Sequence, residues 1–417
     1  MLRQNTTPQP PLSSRAKTVL LLIFVASLAA WTGVRLSKSL LGTDFPDFYC
    51  AARMLAEGQG HQLYDAGVQR QYQARYAGRV GTLYIHPPFE AVFYLTVAWL
   101  PQRLAYLLWS FLNLAFLAAG VRHLANEAAL PWDWRAVLAA SLTFVPVLLC
   151  FVQGQDSLFL LLLVILAFTA LRRGEAFAAG CWLGLGLFKF QLVLPLVFVL
   201  VLTLRKNART GLAKGLGMVT LALAGLSAAI SGWSVFIVYP KFLGHLQAQP
   251  LAGVIPQAMA NFRGFIYFFF HPFFVHGDQS PWAIAVLSIL SLSGAALIKT
   301  LMGWKNARLA SDQKLVDSRQ NEFDRAFGST VLFASLVSYH LNPHDLSLLL
   351  LPMVLLLRDT MQALTNSPRW LLVALSAILF LPPLHLLALQ AHAYALVSIP
   401  VIALFAISTS RRGSSFT

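Results

Sequence analysis

Two aspartates stand close together in the first long polar segment of this 417-residue chain, directly after its first apolar run. They are Asp44 and Asp47, and each is followed by a phenylalanine. A carboxylate that is held in a fixed position can act as general base on a hydroxyl group. Either aspartate could instead cap the helix that the following residues predict. The segment therefore indicates either an acid–base site or a helix start, and both readings stay open at this point.

A second polar segment, Ser338–Asp345, combines two histidines with an aspartate around a helix-breaking proline. His340 and His344 are separated by three residues that include a proline and lack a clear third ligand, which is weak evidence for a zinc site. We therefore expect no metal here. The segment is interpreted as a polar loop that contacts a substrate, with a satisfied structural turn as the alternative. In a third segment, Gln153–Ser157, Asp156 is expected mainly to cap the next helix.

The elements that position these residues are predicted to be membrane-spanning helices. Hydrophobic residues make up 57% of the chain and charged residues 11%, and the mean hydropathy is +0.65. Soluble chains carry about 25% charged residues. The net charge of +15 does not indicate nucleic-acid binding, because Lys and Arg lie in short breaks between apolar runs. The three cysteines are too few for a disulfide framework.

The apolar runs predict an all-α polytopic protein with about twelve spans. A cytoplasmic tail, 1–16, precedes a single transmembrane domain, 17–410, and a second tail, 411–417, follows it. The long outer loop, 36–103, holds the aspartates and interfacial helices. The predicted spans are 17–35, 104–121, 136–152, 157–171, 176–189, 191–204, 215–238, 283–300, 326–340, 345–357, 370–388 and 393–410.

Two further apolar pieces, 87–100 and 264–275, are interrupted by prolines and are expected to be half-inserted rather than spanning. With both termini in the cytoplasm, most Lys and Arg residues fall on the cytoplasmic side, as the positive-inside rule requires. The unusual polar residues then gather on the outer face, where ionisable groups near membrane depth tend to be functional. An apolar stripe at helical spacing, Phe48, Ala51, Ala52 and Leu55, predicts an amphipathic helix on the outer membrane surface, with Gly58 as its stop.

Four motifs in this order resemble glycosyltransferase family 87. They lie at Asp44–Asp65, Tyr84–Phe89, Gln153–Ser157 and Leu185–Pro195, and the resemblance covers about residues 40–360. It implies a GT-C architecture that binds a polyprenyl-phosphate sugar, with mannose suggested by characterised members. Position in the motif implies that Asp44 is the catalytic base, and Asp47 is the competing candidate. A bacterial inner membrane is likewise implied by the family.

The implied reaction is a single displacement at the anomeric carbon, with inversion, in which polyprenyl phosphate leaves. A phosphate leaving group needs cations or hydrogen-bond donors. Lys189 and Arg263 are the basic candidates, although Lys189 could snorkel to the interface and Arg263 could pair with lipid headgroups. The remaining expected contacts to donor phosphate or sugar are His86, Gln155, His340 and His344.

The expected partners are the bilayer, the lipid-linked sugar donor and a glycolipid or glycan acceptor, with no nucleic acid and no cofactor or metal. A polytopic transporter or lipid flippase is the alternative function. Transporters place ionisable residues near the midplane and contain internal repeats, whereas here the polar residues gather on one face. An enzyme of another lipid-linked class is a third possibility. The spans after residue 370 carry no motif that we can interpret.

Overall fold

The computed structural model describes residues 44–78, 80–245, 255–275, 282–311, 316–362 and 369–409. The first predicted span, 17–35, and both predicted tails lie outside these residues. Within the described part the chain is 84% helical and contains no strand, which confirms the all-α prediction.

Eighteen α-helices form the described part of the chain. In order they are α1 (Phe45–Ala56), α2 (Ala66–Tyr72), α3 (Ala91–Ala98), α4 (Gln102–Glu127), α5 (Trp134–Ser141), α6 (Val145–Gln153), α7 (Ser157–Arg172), α8 (Ala176–Leu185), α9 (Phe190–Thr203), α10 (Lys206–Ser231), α11 (Val235–Gly244), α12 (Phe262–Val275), α13 (Trp282–Ser311), α14 (Val316–Val337), α15 (Leu350–Gln362), α16 (Arg369–Phe380), α17 (Pro382–Gln390) and α18 (Ser398–Thr409). Short 3-10 turns join several of them, notably Pro88–Glu90, Gly186–Lys189, Pro256–Ala258 and Pro343–Leu349.

Among the described residues, four helical stretches are long and apolar enough to cross a membrane. The count rises to six if each of two bent pairs, α5 with α6 and α16 with α17, forms one span. These helices confirm the prediction that the chain is a membrane protein. The number of twelve spans and the GT-C architecture stay predictions.

One of the four stretches, Ala176–Thr203, folds back on itself. A straight helix of this length would separate its ends by roughly 40 Å. Instead Gly174–Phe177 and Arg205–Ala208 line the same surface pocket. A Cβ built on Gly211, early in α10, would lie 3.3 Å from the Ala176 Cβ. The chain therefore reverses at the 3-10 turn Gly186–Lys189, and α8 and α9 form a hairpin with Lys189 at its tip.

Helix α1 is buried rather than lying on the membrane surface with one face exposed. Phe45 to Ala52 are all buried, and Met54 is buried as well. The helix packs beneath α3, and the ring of Phe48 stacks on Tyr94 with 4.6 Å between the centroids. The prediction of an amphipathic surface helix was wrong because protein covers the polar side of α1 as well as its apolar stripe. Tyr49 and Arg53 on the polar side donate hydrogen bonds to the carbonyls of Leu100 and Ala98. Its end was predicted correctly, since Gly58 follows α1 with φ +74°.

Charged residues hold the helices together at the far end of α7. Arg172 lies 3.0 Å and Arg358 lies 2.7 Å from the buried carboxylate of Asp324, and Arg358 also pairs with Asp359. Helix α7 begins at Ser157 and spans roughly 24 Å, so this cluster and the polar residues near Ser157 lie at opposite ends of the bundle.

Candidate functional site

A polar cavity of 360 Å³ opens at the end of the bundle where α7 begins. It is called the polar cavity below. Seven of the eight residues that the sequence singled out for a site lie on its wall; they are Asp44, Asp47, His86, Gln155, Lys189, His340 and His344. The eighth, Arg263, does not. The prediction that the polar segments meet at one end of the bundle is confirmed, whereas the roles of these residues stay predictions.

Asp44 immediately precedes α1, but its side chain makes no capping hydrogen bond. Its Oδ2 instead accepts a hydrogen bond of 2.7 Å from the side-chain amide of Gln155. Gly154 allows this approach, because it has φ +74° and an added Cβ would lie 2.7 Å from the Phe45 Cβ. Asp44 is therefore oriented by the α6–α7 loop and not used as a cap.

Asp47 has a different environment, although its side chain also reaches the cavity wall. The residue is buried, and its carboxylate accepts hydrogen bonds from Gln73, at 3.0 Å, and from the Thr82 hydroxyl. Gln73 also donates to the Thr82 carbonyl and accepts from the Gly81 amide. Asp47 thus anchors the extended segment at 80–84 to α1.

Lys189, at the tip of the α8–α9 hairpin, is buried between two carboxylates. Its Nζ lies 2.8 Å from Asp345 Oδ1 and 3.3 Å from Asp156 Oδ1. The snorkelling alternative is wrong, since only 1% of the residue is exposed. The capping role expected for Asp156 is wrong as well: its side chain makes no capping hydrogen bond, and the carboxylate faces Lys189.

Asp345 accepts hydrogen bonds from three donors. Besides Lys189 they are the Ser157 hydroxyl, at 2.8 Å, and the backbone N–H of Asn342, at 2.9 Å. Burial opposes its ionisation, but the adjacent Lys189 ammonium holds the pKa of Asp345 below its usual value. Asp345 therefore carries a negative charge that offsets the charge of Lys189.

Burial favours the neutral form of both histidines in the α14–α15 loop. Burial lowers the pKa of His340 to about 4 and also lowers the pKa of His344. His344 Nδ1 lies 2.9 Å from Gln153 Oε1. The His340 ring makes no hydrogen bond within the described part of the chain. The described residues also contain no group of three or more His, Cys, Asp or Glu that could hold a metal ion.

Arg263 lies on the wall of a second, mainly apolar cavity of 680 Å³ between α12, α13 and the end of α14. It is called the apolar cavity below. The guanidinium of Arg263 stacks on the Tyr339 ring at 4.0 Å and donates to the Tyr339 carbonyl at 2.8 Å. The next residue, His340, lines the polar cavity, so the two cavities are neighbours.

Sequence reasoning missed Glu90, which is fully buried and lies 3.0 Å from Nδ1 of His86. Its position four residues after His86, within an otherwise apolar run, is a signal that could have identified it. Gln73 was not predicted either. The polar sequence around it indicates an exposed helix, whereas its side-chain amide is buried against Asp47.

Comparison with known proteins identifies the family of this chain. The family model for glycosyltransferase family 87 matches residues 84–314, which is more than half of the 417 residues. The match includes Lys189 and Gln155 but begins after Asp44 and Asp47. No curated protein and no solved structure matches the chain. Together with the helical, apolar fold, the family match shows that this chain belongs to glycosyltransferase family 87 and is a membrane glycosyltransferase.

Proposed function

We propose that the protein transfers a hexosyl group, with mannose as the first candidate, from a polyprenyl-phosphate sugar to a hydroxyl of a glycolipid or glycan acceptor. The observation that carries the proposal is the Asp44 carboxylate, which is held at the polar cavity by Gln155. Family membership supports the reaction class. The donor, the acceptor and the assignment of Asp44 are the proposed parts.

In the proposed reaction Asp44 removes the proton from the acceptor hydroxyl. The oxygen attacks the anomeric carbon from the face opposite the phosphate, and the bond between that carbon and the phosphate oxygen breaks. Polyprenyl phosphate leaves with the electron pair, and the configuration inverts. A positioned general base contributes roughly 10²–10⁴-fold to such a rate. The Gln155 amide orients the carboxylate, which lowers the entropic cost of reaching the reactive geometry.

Asp44 suits the role of base better than Asp47 because of their hydrogen bonds. Within the described residues the Asp44 carboxylate accepts one side-chain hydrogen bond, from Gln155. The Asp47 carboxylate is bonded on both oxygens, by Gln73 and Thr82. A carboxylate whose lone pairs are already engaged is a poorer proton acceptor.

We place the donor phosphate near His340 and Lys189. The Lys189 ammonium is largely offset by Asp345 and Asp156, so its attraction for phosphate is weaker than that of an unpaired cation. A neutral imidazole such as His340 can donate a hydrogen bond to the leaving oxygen. His344 lies behind it and is held by Gln153.

We place the lipid chain of the donor in the apolar cavity, with Arg263 near its phosphate end. The cavity wall is formed mainly by aliphatic and aromatic side chains, and it includes Tyr339, the residue before His340 of the polar cavity. A hydrocarbon chain is stabilised by such a surface, at about 0.8 kcal/mol per buried CH₂ group. The arginine would meet the phosphate where the chain ends.

The proposed orientation puts the polar cavity on the outer face of a bacterial inner membrane, with both termini in the cytoplasm. The support is the distribution of charge along the α8–α9 hairpin. Arg173, Arg205 and Lys206 lie at the end of the bundle that is remote from the polar cavity. Cytoplasmic ends carry the excess of Lys and Arg.

Transfer from radiolabelled polyprenyl-phosphate-mannose, in membranes with matched protein levels, tests the proposal. We compare wild type, Asp44→Asn, Asp47→Asn and the control Asp133→Asn, which removes an exposed carboxylate far from the cavity. Asp44→Asn should lose transfer by roughly 10²-fold or more without a change in melting temperature. Asp133→Asn should retain it.

The other outcomes are equally informative. Transfer that is lost in Asp47→Asn and retained in Asp44→Asn would reassign the base. Transfer by none of the proteins would refute mannose as the donor sugar, and polyprenyl-phosphate-glucose would be the next donor. Equal transfer by all four proteins would exclude an aspartate base at either position.

A further inference from the structure

The carboxyl group of Glu90 contacts His86 but does not line the polar cavity, on whose wall His86 lies. Glu90 Oε2 is 3.0 Å from His86 Nδ1, and no part of Glu90 is exposed. The ring of His86 packs against Phe48 and Tyr84, with centroid distances of 4.8 and 5.6 Å, and those two rings also contact each other. These contacts hold the ring with Nδ1 on the side of Glu90.

The proton count of this cluster follows from its neighbours. Burial raises the pKa of Glu90 well above its usual value, and the adjacent Asp156 carboxylate raises it further. Asp156 itself lies 3.3 Å from the Lys189 ammonium. Glu90 makes no ion pair with a lysine or arginine in the described residues and is fully buried, so we assign it a proton.

A protonated Glu90 has one hydroxyl to donate and one carbonyl oxygen to accept. The neighbouring Asp156 is the acceptor available to that hydroxyl. The other oxygen lies 3.0 Å from His86 Nδ1 and is then the acceptor available to an Nδ1–H group. Because burial lowers the pKa of His86 to about 3, the ring is neutral, and its Nε2 carries a lone pair and no proton.

The side chain of His86 is 20% exposed and lines the polar cavity. Its Nε2 makes no hydrogen bond within the described part of the chain. We propose that Glu90 is a positioning residue that selects the tautomer of His86, and that His86 Nε2 accepts a hydrogen bond from a sugar hydroxyl in the polar cavity. This inference rests on the proposed function and deepens it.

The assignment changes the expected role of His86. A phosphate diester offers only acceptor oxygens, so an unprotonated Nε2 cannot bind it. A hydroxyl can donate, and sugars carry several. His86 is therefore a residue that recognises the sugar. The phosphate of the sugar donor is bound by other groups, such as His340 on the α14–α15 loop.

The tautomer is measured by ¹⁵N NMR of the full-length protein, labelled at histidine and reconstituted in lipid nanodiscs. His86→Phe identifies the His86 signals by their loss. We expect a protonated Nδ1 and an unprotonated Nε2 in wild type and in Glu90→Gln, because the glutamine amide can donate to Asp156 and accept from His86 as the protonated acid does. In Glu90→Leu, the signals should shift toward the other tautomer.

Transfer kinetics provide the second readout. Glu90→Gln should stay within about twofold of wild type, whereas Glu90→Leu and His86→Phe should raise KM for a sugar substrate about 5- to 10-fold, the size of one hydrogen bond. If Glu90→Leu does not fold, Glu90→Gln and wild type still decide the question. A protonated Nε2 in wild type, or a Glu90→Gln variant with a clearly altered tautomer, would overturn the inference.

The two readouts separate this inference from the proposed function. The NMR assignment needs no substrate, so a wrong choice of donor abolishes transfer in wild type and leaves the expected tautomer intact. An expected tautomer combined with an unchanged KM in His86→Phe would overturn the hydroxyl contact. In that case the Glu90–His86 pair would serve only the fold.

Discussion

The side-chain amide of Gln155 donates a hydrogen bond of 2.7 Å to the carboxylate of Asp44, which lies 111 positions earlier in the chain. The contact joins the start of α1 to the loop between α6 and α7. The same Gln155 side chain has its oxygen 3.5 Å from the Lys189 ammonium. Gln155 therefore lies between the proposed base and the buried ion cluster and orients both.

Replacing Gln155 by leucine should reduce transfer more than it reduces stability. The variant keeps the size of the side chain but leaves the Asp44 carboxylate without its partner, so we expect kcat to fall about tenfold, the equivalent of one hydrogen bond to a charged group. Gln191→Leu is the matched control, since Gln191 also lines the polar cavity and has no bond to Asp44. Equal losses in the two variants would argue against an orienting role.

The polar cavity shows which features a single sequence predicts and which it does not. Charge asymmetry and the lengths of the apolar runs predicted that Asp44, Lys189 and His344 would meet at one end of the bundle. The pairing of Lys189 with two carboxylates was not predictable, because it depends on where the α8–α9 hairpin places its tip. Glu90 was not predicted because, in the sequence, a buried acid cannot be distinguished from a polar residue that interrupts an apolar run.

Arg263 and α1 illustrate a second limit. Both were placed correctly along the chain, but their surroundings depend on contacts between distant segments. The basic residue faces the apolar cavity because α12 turns it toward Tyr339. Helix α1 is buried because α3 packs over it. A periodic pattern predicts a face of a helix but not what covers that face.

Lys189→Met should destabilise the protein strongly. Removing the ammonium leaves Asp345 and Asp156 as two buried carboxylates with no cation between them, and a buried pair broken on one side typically costs about 3–5 kcal/mol. Adding Asp345→Asn to Lys189→Met should recover part of this loss, since it removes one of the uncompensated charges. Thermal unfolding in nanodiscs measures both variants.

An unchanged melting temperature in Lys189→Met would show that the ion pairs of Lys189 do not stabilise the fold. A double variant less stable than Lys189→Met would show that the loss of stability does not come from uncompensated charge. Lys206→Met, at the exposed start of α10, controls for the loss of a lysine as such.

Gly215→Ala should separate α8 from α10. An added Cβ at position 215 would lie 2.0 Å from the Phe177 carbonyl oxygen, and backbone on both helices would have to move. Overpacking of this kind costs about 1–3 kcal/mol. Gly217→Ala, two residues along the same helix, is the control because nothing lies within 4 Å of its added Cβ.

Gly217→Ala should be neutral or stabilising by up to about 1 kcal/mol, since alanine has the higher helix propensity. Melting temperatures of the two variants, measured side by side, test the close contact of the helices. Similar melting temperatures for Gly215→Ala and Gly217→Ala would show that α8 and α10 are not packed backbone to backbone.

The hairpin of α8 and α9 predicts the side of the membrane on which its flanking residues lie. Glu175 and Asn207 are exposed and line the same pocket. In a background with Cys181 replaced by alanine, Glu175→Cys and Asn207→Cys should both be labelled by an impermeant maleimide from the same side. Ala56→Cys, exposed at the end of α1, should be labelled from the other side.

A single straight span from Ala176 to Thr203 would place Glu175 and Asn207 on opposite sides. Labelling from opposite sides would therefore refute the hairpin, and with it the placement of Lys189 at the polar cavity.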